Sequence, residues 1–155
     1  MKSSPVSVWG SNMEKMYFVD SHAHIMDKDF AQDLDEVIKR TEEKHVDRIM
    51  IIALSIETAE KAVAIAVQDR NKNKVAAGIF PEDVKEVTEA SWNAFVKLAE
   101  RPEIDVIGEI GLDYYWEKDP EVRARQRELF IRQIELANRL HKPFAVHSRD
   151  AMQDT

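Results

Sequence analysis

Asp20-Ser21-His22-Ala23-His24 places two imidazoles two residues apart at the end of a short apolar run, Tyr17-Phe18-Val19. Side chains of a β-strand alternate, so His22 and His24 point to one side. Imidazoles side by side at a strand end can share a divalent metal. Asp20 lies on the same face, one step deeper, where it can accept a ring N–H and fix a tautomer. The plain alternative is a polar strand end facing water.

Glu109 follows in Ile107-Gly108-Glu109-Ile110-Gly111-Leu112-Asp113. A carboxylate inside an apolar strand is costly unless it is paired or bound to metal. Gly108 and Gly111 leave room for the close approach of another group. Glu109 and Asp113 share a face, with Asp113 at the strand mouth; a structural ion pair for Glu109 is the competing reading. His147 closes a further apolar run, Phe144-Ala145-Val146. Two divalent ions bridged by a carboxylate would polarise a phosphoryl oxygen and activate water. Arg149, two residues on, can hold a phosphate by paired hydrogen bonds or sit as a surface residue. Tyr114, Tyr115 and Trp116 follow Asp113; aromatics there can stack on bases or cover the core. His45 and His141 sit near expected helix C-termini, where the dipole favours them, and read as structural.

Positioning these residues requires strands that end together. Apolar runs alternate with helical patterns from Tyr17 onward. Strands are expected at 17–24, 48–54, 75–80, 106–112 and 144–147. Helices are expected near 31–44, from N-cap Ser55 to 70, at 88–99, and from Asp119-Pro120-Glu121 to about 140. Another helix can begin at Arg149. Strict alternation with near-continuous apolar strands predicts a parallel α/β sheet with right-handed crossovers. Five βα steps fit an open doubly wound sheet or part of a (β/α)8 barrel. No glycine-rich phosphate loop follows the first strand, which weakens the dinucleotide reading. Polar residues gather at the C-terminal ends of strands one, four and five, where barrel enzymes place their chemistry.

The 155 residues suit one domain, 44% hydrophobic and 33% charged, as in an ordinary soluble globular protein. No apolar run approaches the ~18–20 residues of a membrane span, so no membrane partner is expected. Residues 1–16 lack the apolar core of a signal peptide and read as a disordered leader or vector-derived residues, with Met13 or Met16 as alternative starts. The absence of cysteine excludes disulfides and thiolate metal sites, and a cytoplasmic location is compatible. A net charge of −7 argues against a large sequence-independent nucleic-acid surface. An anionic substrate stays possible where bound metal supplies positive charge.

Three segments resemble, in order and spacing, the signatures of the TatD-type metal-dependent deoxyribonucleases, a branch of the amidohydrolase-like barrels. They are Val19-Asp20-Ser21-His22-Ala23-His24, Gly108-Glu109-Ile110-Gly111-Leu112-Asp113-Tyr114, and Lys142-Pro143-Phe144-Ala145-Val146-His147-Ser148-Arg149-Asp150-Ala151. The similarity covers residues 17–155. It implies a TIM barrel with two divalent metals (Mg, Mn or Zn), His22 and His24 on one ion, Glu109 bridging, and His147 on the other. It implies phosphodiester hydrolysis, typically 3′-to-5′ exonuclease action on DNA; related members act on other esters, including mischarged tRNA. Substrate-binding roles are expected for Arg149, Asp113 and Tyr114.

Two departures accompany the resemblance. The family commonly has histidine where this chain has Phe80, in Gly78-Ile79-Phe80-Pro81, and phenylalanine neither binds metal nor donates a hydrogen bond. A complete TIM barrel takes about 250 residues, so a partial barrel of about five of eight βα units is expected here. The family's remaining metal-binding histidine and its aspartate have no counterpart. Open sheet edges invite pairing, so completion by C-terminal strands, a second chain or self-association is expected. As a truncated form, the chain would be at least ~100-fold less active on single-stranded DNA than an extended form. A different barrel hydrolase, an amidase or lactonase, is disfavoured because Glu109 occupies the strand position where those relatives often carry a metal-bridging lysine.

Overall fold

The computed structural model describes residues 17–155, so the leader expected at 1–16 lies outside the described residues. Five parallel strands pair in sequence order: β1 (Phe18–Ala23), β2 (Val46–Ala53), β3 (Asn73–Ala77), β4 (Val106–Asp113) and β5 (Phe144–Arg149). Helices α1 (Leu34–Glu43), α2 (Ile56–Ala66), α3 (Glu89–Ala99) and α4 (Pro120–Leu140) connect them. This is the partial (β/α)8 barrel expected from the sequence: five strands curving with helices on the outside. No helix among the described residues is long and apolar enough to cross a membrane.

Local chemistry sets the helix starts. Ser55 and Thr88 each build a capping box with the residue three positions on, Thr58 and Ser91. Asp119 accepts from the Glu121 N–H and Pro120 occupies the first turn of α4. His141 ends α4 in the left-handed region (φ 53°), and His45 (φ 60°) follows α1. Both histidines are therefore turn formers, in keeping with their structural reading.

The boundaries shift where backbone pairing outlasts the apolar run. β4 continues through Asp113 and β5 through Arg149, because Leu112 pairs with Ser148 and Asp113 with Arg149. Arg149 thus ends a strand rather than opening a helix. β3 stops at Ala77 instead of Phe80, and Pro81–Glu86 forms a 3-10 helix. A short 3-10 turn, Lys28–Phe30, delays α1 to Leu34, and α2 ends at Ala66, four residues short of the expected end.

The core lies between the sheet and the helices. Ile51, Val75 and Ile107 of the strands meet Ala62 and Ala66 of α2, Phe95 of α3 and Ala137 of α4, all fully buried. The terminal strands keep apolar side chains exposed: Phe18 and Val19 on β1, Phe144 and Val146 on β5.

At the end of the sheet opposite the histidines, Asp105 ties three segments together. Arg70 Nη2 donates to both of its oxygens at 2.9 Å, and the Val75 N–H donates to Oδ2 at 2.9 Å. Replacing Asp105 with alanine strands a half-buried guanidinium and a β3 amide. The expected loss is about 2–3 kcal/mol, since a charge-assisted bond and an orphaned donor each count for 1–3. Urea unfolding measures it; a midpoint equal to wild type would show that the clamp adds nothing.

Candidate metal centre

β1, β4 and β5 deliver His22, His24, Glu109 and His147 to one end of the sheet. His24 sits just past β1, and its Nδ1 lies 2.8 Å from the Ile52 carbonyl oxygen. A carbonyl only accepts, so Nδ1 carries the proton and Nε2 keeps a free lone pair for a metal. The ring centroids of His22 and His24 are 5.1 Å apart. One ligand atom from each of His22, His24 and Glu109 falls within 4.8 Å of the others. That spacing suits a shared divalent ion.

Glu109 faces two histidines with its two oxygens. Oε2 is 3.2 Å from His22 Nε2, and Oε1 is 3.0 Å from His147 Nδ1. The other nitrogen of His147, Nε2, is 3.1 Å from Asp113 Oδ2. A neutral imidazole has only one N–H. With that proton given to the buried Asp113, His147 Nδ1 would turn a lone pair toward Glu109 Oε1; the opposite tautomer would donate to Glu109 instead. The ligand atoms of His22, His24 and Glu109 fit one ion, and His147 adjoins them through Glu109 Oε1.

The glycines around Glu109 are what let β5 come this close. Gly111 has φ +148°, and a Cβ built on it would lie 1.9 Å from the His147 carbonyl oxygen. Gly108 likewise faces the Ala145 backbone, at 2.8 Å. The space expected beside Glu109 is filled by the backbone of the strand that carries His147.

Other expected site residues fall differently. Asp20 does not reach a ring nitrogen: its Oδ1 accepts the His22 backbone N–H at 3.0 Å, and the carbonyl of Ile52 sets the His24 tautomer instead. Asp113 joins the cluster, but with 1% of its surface exposed and as the partner of His147 rather than open to the mouth. Tyr114 is not brought in. As the neighbour of Asp113 it points to the opposite face, where its hydroxyl donates to Asp154 at 2.7 Å and accepts from Arg127 at 2.9 Å. Burial, first, and the Asp154 bond raise its pKa above the usual phenol value. Arg149 is exposed at the mouth and lies over Tyr115, with the guanidinium carbon 4.0 Å from the ring centroid.

Phe80 stands at the end of the β3 segment, its ring edge-on to His147 with centroids 4.7 Å apart. Two buried glutamines of α4, unremarked in the sequence, fasten that segment. Gln133 accepts from the Ile79 N–H at 2.8 Å and donates to the Ile79 carbonyl at 3.0 Å. Gln126 accepts from the Asp113 N–H at 3.1 Å and donates to the Pro81 carbonyl at 3.2 Å. Their signal was a pair of amides seven residues apart on the buried face of a long helix, where an amide needs backbone partners.

The family model described as TatD related DNase matches residues 19–155. The chain belongs to the TatD family. Among its TatD relatives, YabD of Bacillus subtilis, named an uncharacterized metal-dependent hydrolase, is 33% identical over 87% of this chain and 52% of its own length. The 3′-5′ ssDNA/RNA exonuclease TatD of Shigella flexneri is 29% identical over 85% of this chain and 50% of its own. The crystal structure of YJJV, a TatD homolog from Escherichia coli K12, superposes with a TM-score of 0.75 at 27% identity, covering 86% of this chain and 51% of that one. This TatD chain thus spans about half the length of the relatives it matches.

Proposed function

We propose that this chain carries the first part of a two-metal phosphodiesterase site, in a TatD-type hydrolase that degrades DNA from the 3′ end. The observation that carries the reading is the placement of Glu109, whose two oxygens face imidazoles on strands at opposite edges of the sheet. His22, His24 and Glu109 would hold one ion, and Glu109 with His147 the second; Mg, Mn and Zn all suit this donor set. Bound there, divalent ions polarise a phosphoryl oxygen and supply a nucleophilic water near neutral pH.

The chain's own residues organise the rest. The Ile52 carbonyl holds the His24 ring in the tautomer that offers Nε2. Asp113 does the same for His147, leaving Nδ1 toward the site. Arg149 presents donors for a phosphate at the same mouth. Phe80 contributes an apolar wall beside His147, so no hydrogen bond comes from that side.

Hydrolysis of bis-p-nitrophenyl phosphate and of a 5′-labelled single strand, with and without chelator, tests the reading. Turnover should vanish in EDTA and return with Mn²⁺. Failure of the chain to bind any of the three metals in a calorimetric titration would sink the assignment.

A further inference from the structure

We propose that Tyr115, Trp116 and Arg149 form a ledge that takes one unpaired nucleotide, with its base on Trp116 and its phosphate on Arg149. The proposal rests on the nucleic-acid reading above and names the part of the surface that recognises a single strand.

Trp116 directly follows the β4 mouth and is 63% exposed, an unusual place for a large apolar ring. Tyr115 braces it edge-on, with centroids 4.6 Å apart and planes at 86°. Arg149 lies 4.0 Å above the Tyr115 ring and 5.6 Å from that of Trp116. Among the described residues Arg149 forms no ion pair, in a chain of net charge −7. Stacking on the ring face holds the guanidinium in place and leaves its N–H donors free for an anion. Lys118 stands 5.7 Å from the Tyr115 centroid, with its ammonium donating to the Tyr114 carbonyl at 2.8 Å. An exposed indole beside the unpaired guanidinium of Arg149 matches the chemistry of a strand with bases splayed out. A duplex keeps its base faces stacked and offers none to the indole.

Asp113 sets where the ledge stands. Its Oδ1 accepts the N–H groups of Tyr115 at 3.0 Å and Trp116 at 3.1 Å, and its Oδ2 meets His147 Nε2. Arg149 is tied to the same point, since its carbonyl accepts from the Tyr114 N–H at 2.8 Å. One buried carboxylate thus places the ledge and the imidazole of the metal cluster in a fixed relation.

Fluorescence anisotropy of the chain without added metal, against a short oligothymidylate and an abasic oligomer of equal length and charge, tests the ledge. The thymidylate should bind about tenfold more tightly, the ratio that one base–aromatic stack supplies. Trp116→Ala should remove that ratio and leave abasic binding unchanged, while Arg149→Gln should weaken both oligomers alike. Equal affinities, no measurable binding, or a ratio that survives Trp116→Ala would overturn the ledge. His22→Ala should keep the ratio. A preserved ratio with no Mn²⁺ binding in a calorimetric titration leaves the ledge standing and removes the metal-site reading; Mn²⁺ binding without the ratio does the reverse.

Discussion

Replacing Glu109 with alanine should lower Mn²⁺ affinity by on the order of a hundredfold or more while leaving the metal-free fold almost as stable as wild type. Loss of a partner one step removed from a metal already costs 10–100-fold in affinity, and Glu109 faces both histidine sites. The metal-free effect is small for a different reason. Removing Glu109 strands neither histidine, because the His22 side chain is 45% exposed and reaches water, and His147 keeps Asp113 at Nε2. The two expectations separate a ligand from a structural ion pair. Wild type at a hundredfold excess of metal over its Kd should gain about 2.7 kcal/mol, and the variant at the same concentration much less. Calorimetric titration and thermal melts with and without Mn²⁺ read both quantities. A variant that binds metal normally but melts several degrees lower would make Glu109 a structural residue.

That His22, His24, Glu109 and His147 come together at one end of the sheet is legible because strand ends and apolar context mark them locally. Helix starts at Ser55, Thr88 and Asp119 were legible for the same reason, since capping is a matter of a few adjacent residues. What the sequence obscured was non-local. β4 and β5 run on through Asp113 and Arg149 because each pairs with the other, although neither is apolar. The partner of Asp20 is the His22 amide and not a ring, because a short aspartate side chain reaches the amide two residues on more readily. The place of Tyr114 is obscured for another reason. Period-two alternation puts it opposite Glu109 and Asp113, and its neighbours on that face, Arg127 and Asp154, are distant in sequence. Phe80 and the glutamines of α4 gained meaning only once β3, β4 and the helix were brought together.

Gly111→Ala should be the most damaging glycine-to-alanine change among the described residues. Its φ of +148° is a conformation that side-chain-bearing residues rarely adopt, and the added carbon would stand 1.9 Å from the His147 carbonyl oxygen. The obstacle is backbone, and it belongs to the residue paired with Gly111, so no rotamer change relieves it. β5 must move away, and it carries His147 from Glu109 and Arg149 from the Asp113 loop. We expect a loss of at least about 3 kcal/mol, in the range where overpacking adds to a forbidden backbone conformation, together with weakened Mn²⁺ binding. Gly78→Ala provides the contrast. Its added Cβ meets Ile110 Cγ2 and the Glu109 carbonyl oxygen at 2.8 Å with no positive φ, so the cost should be smaller and metal binding better kept. Urea unfolding of both variants, with Mn²⁺ titration of each, tests the pair. If Gly111→Ala is as stable as wild type and binds Mn²⁺ equally well, the close approach of β4 and β5 does not position His147, and the bridging role of Glu109 loses its structural support.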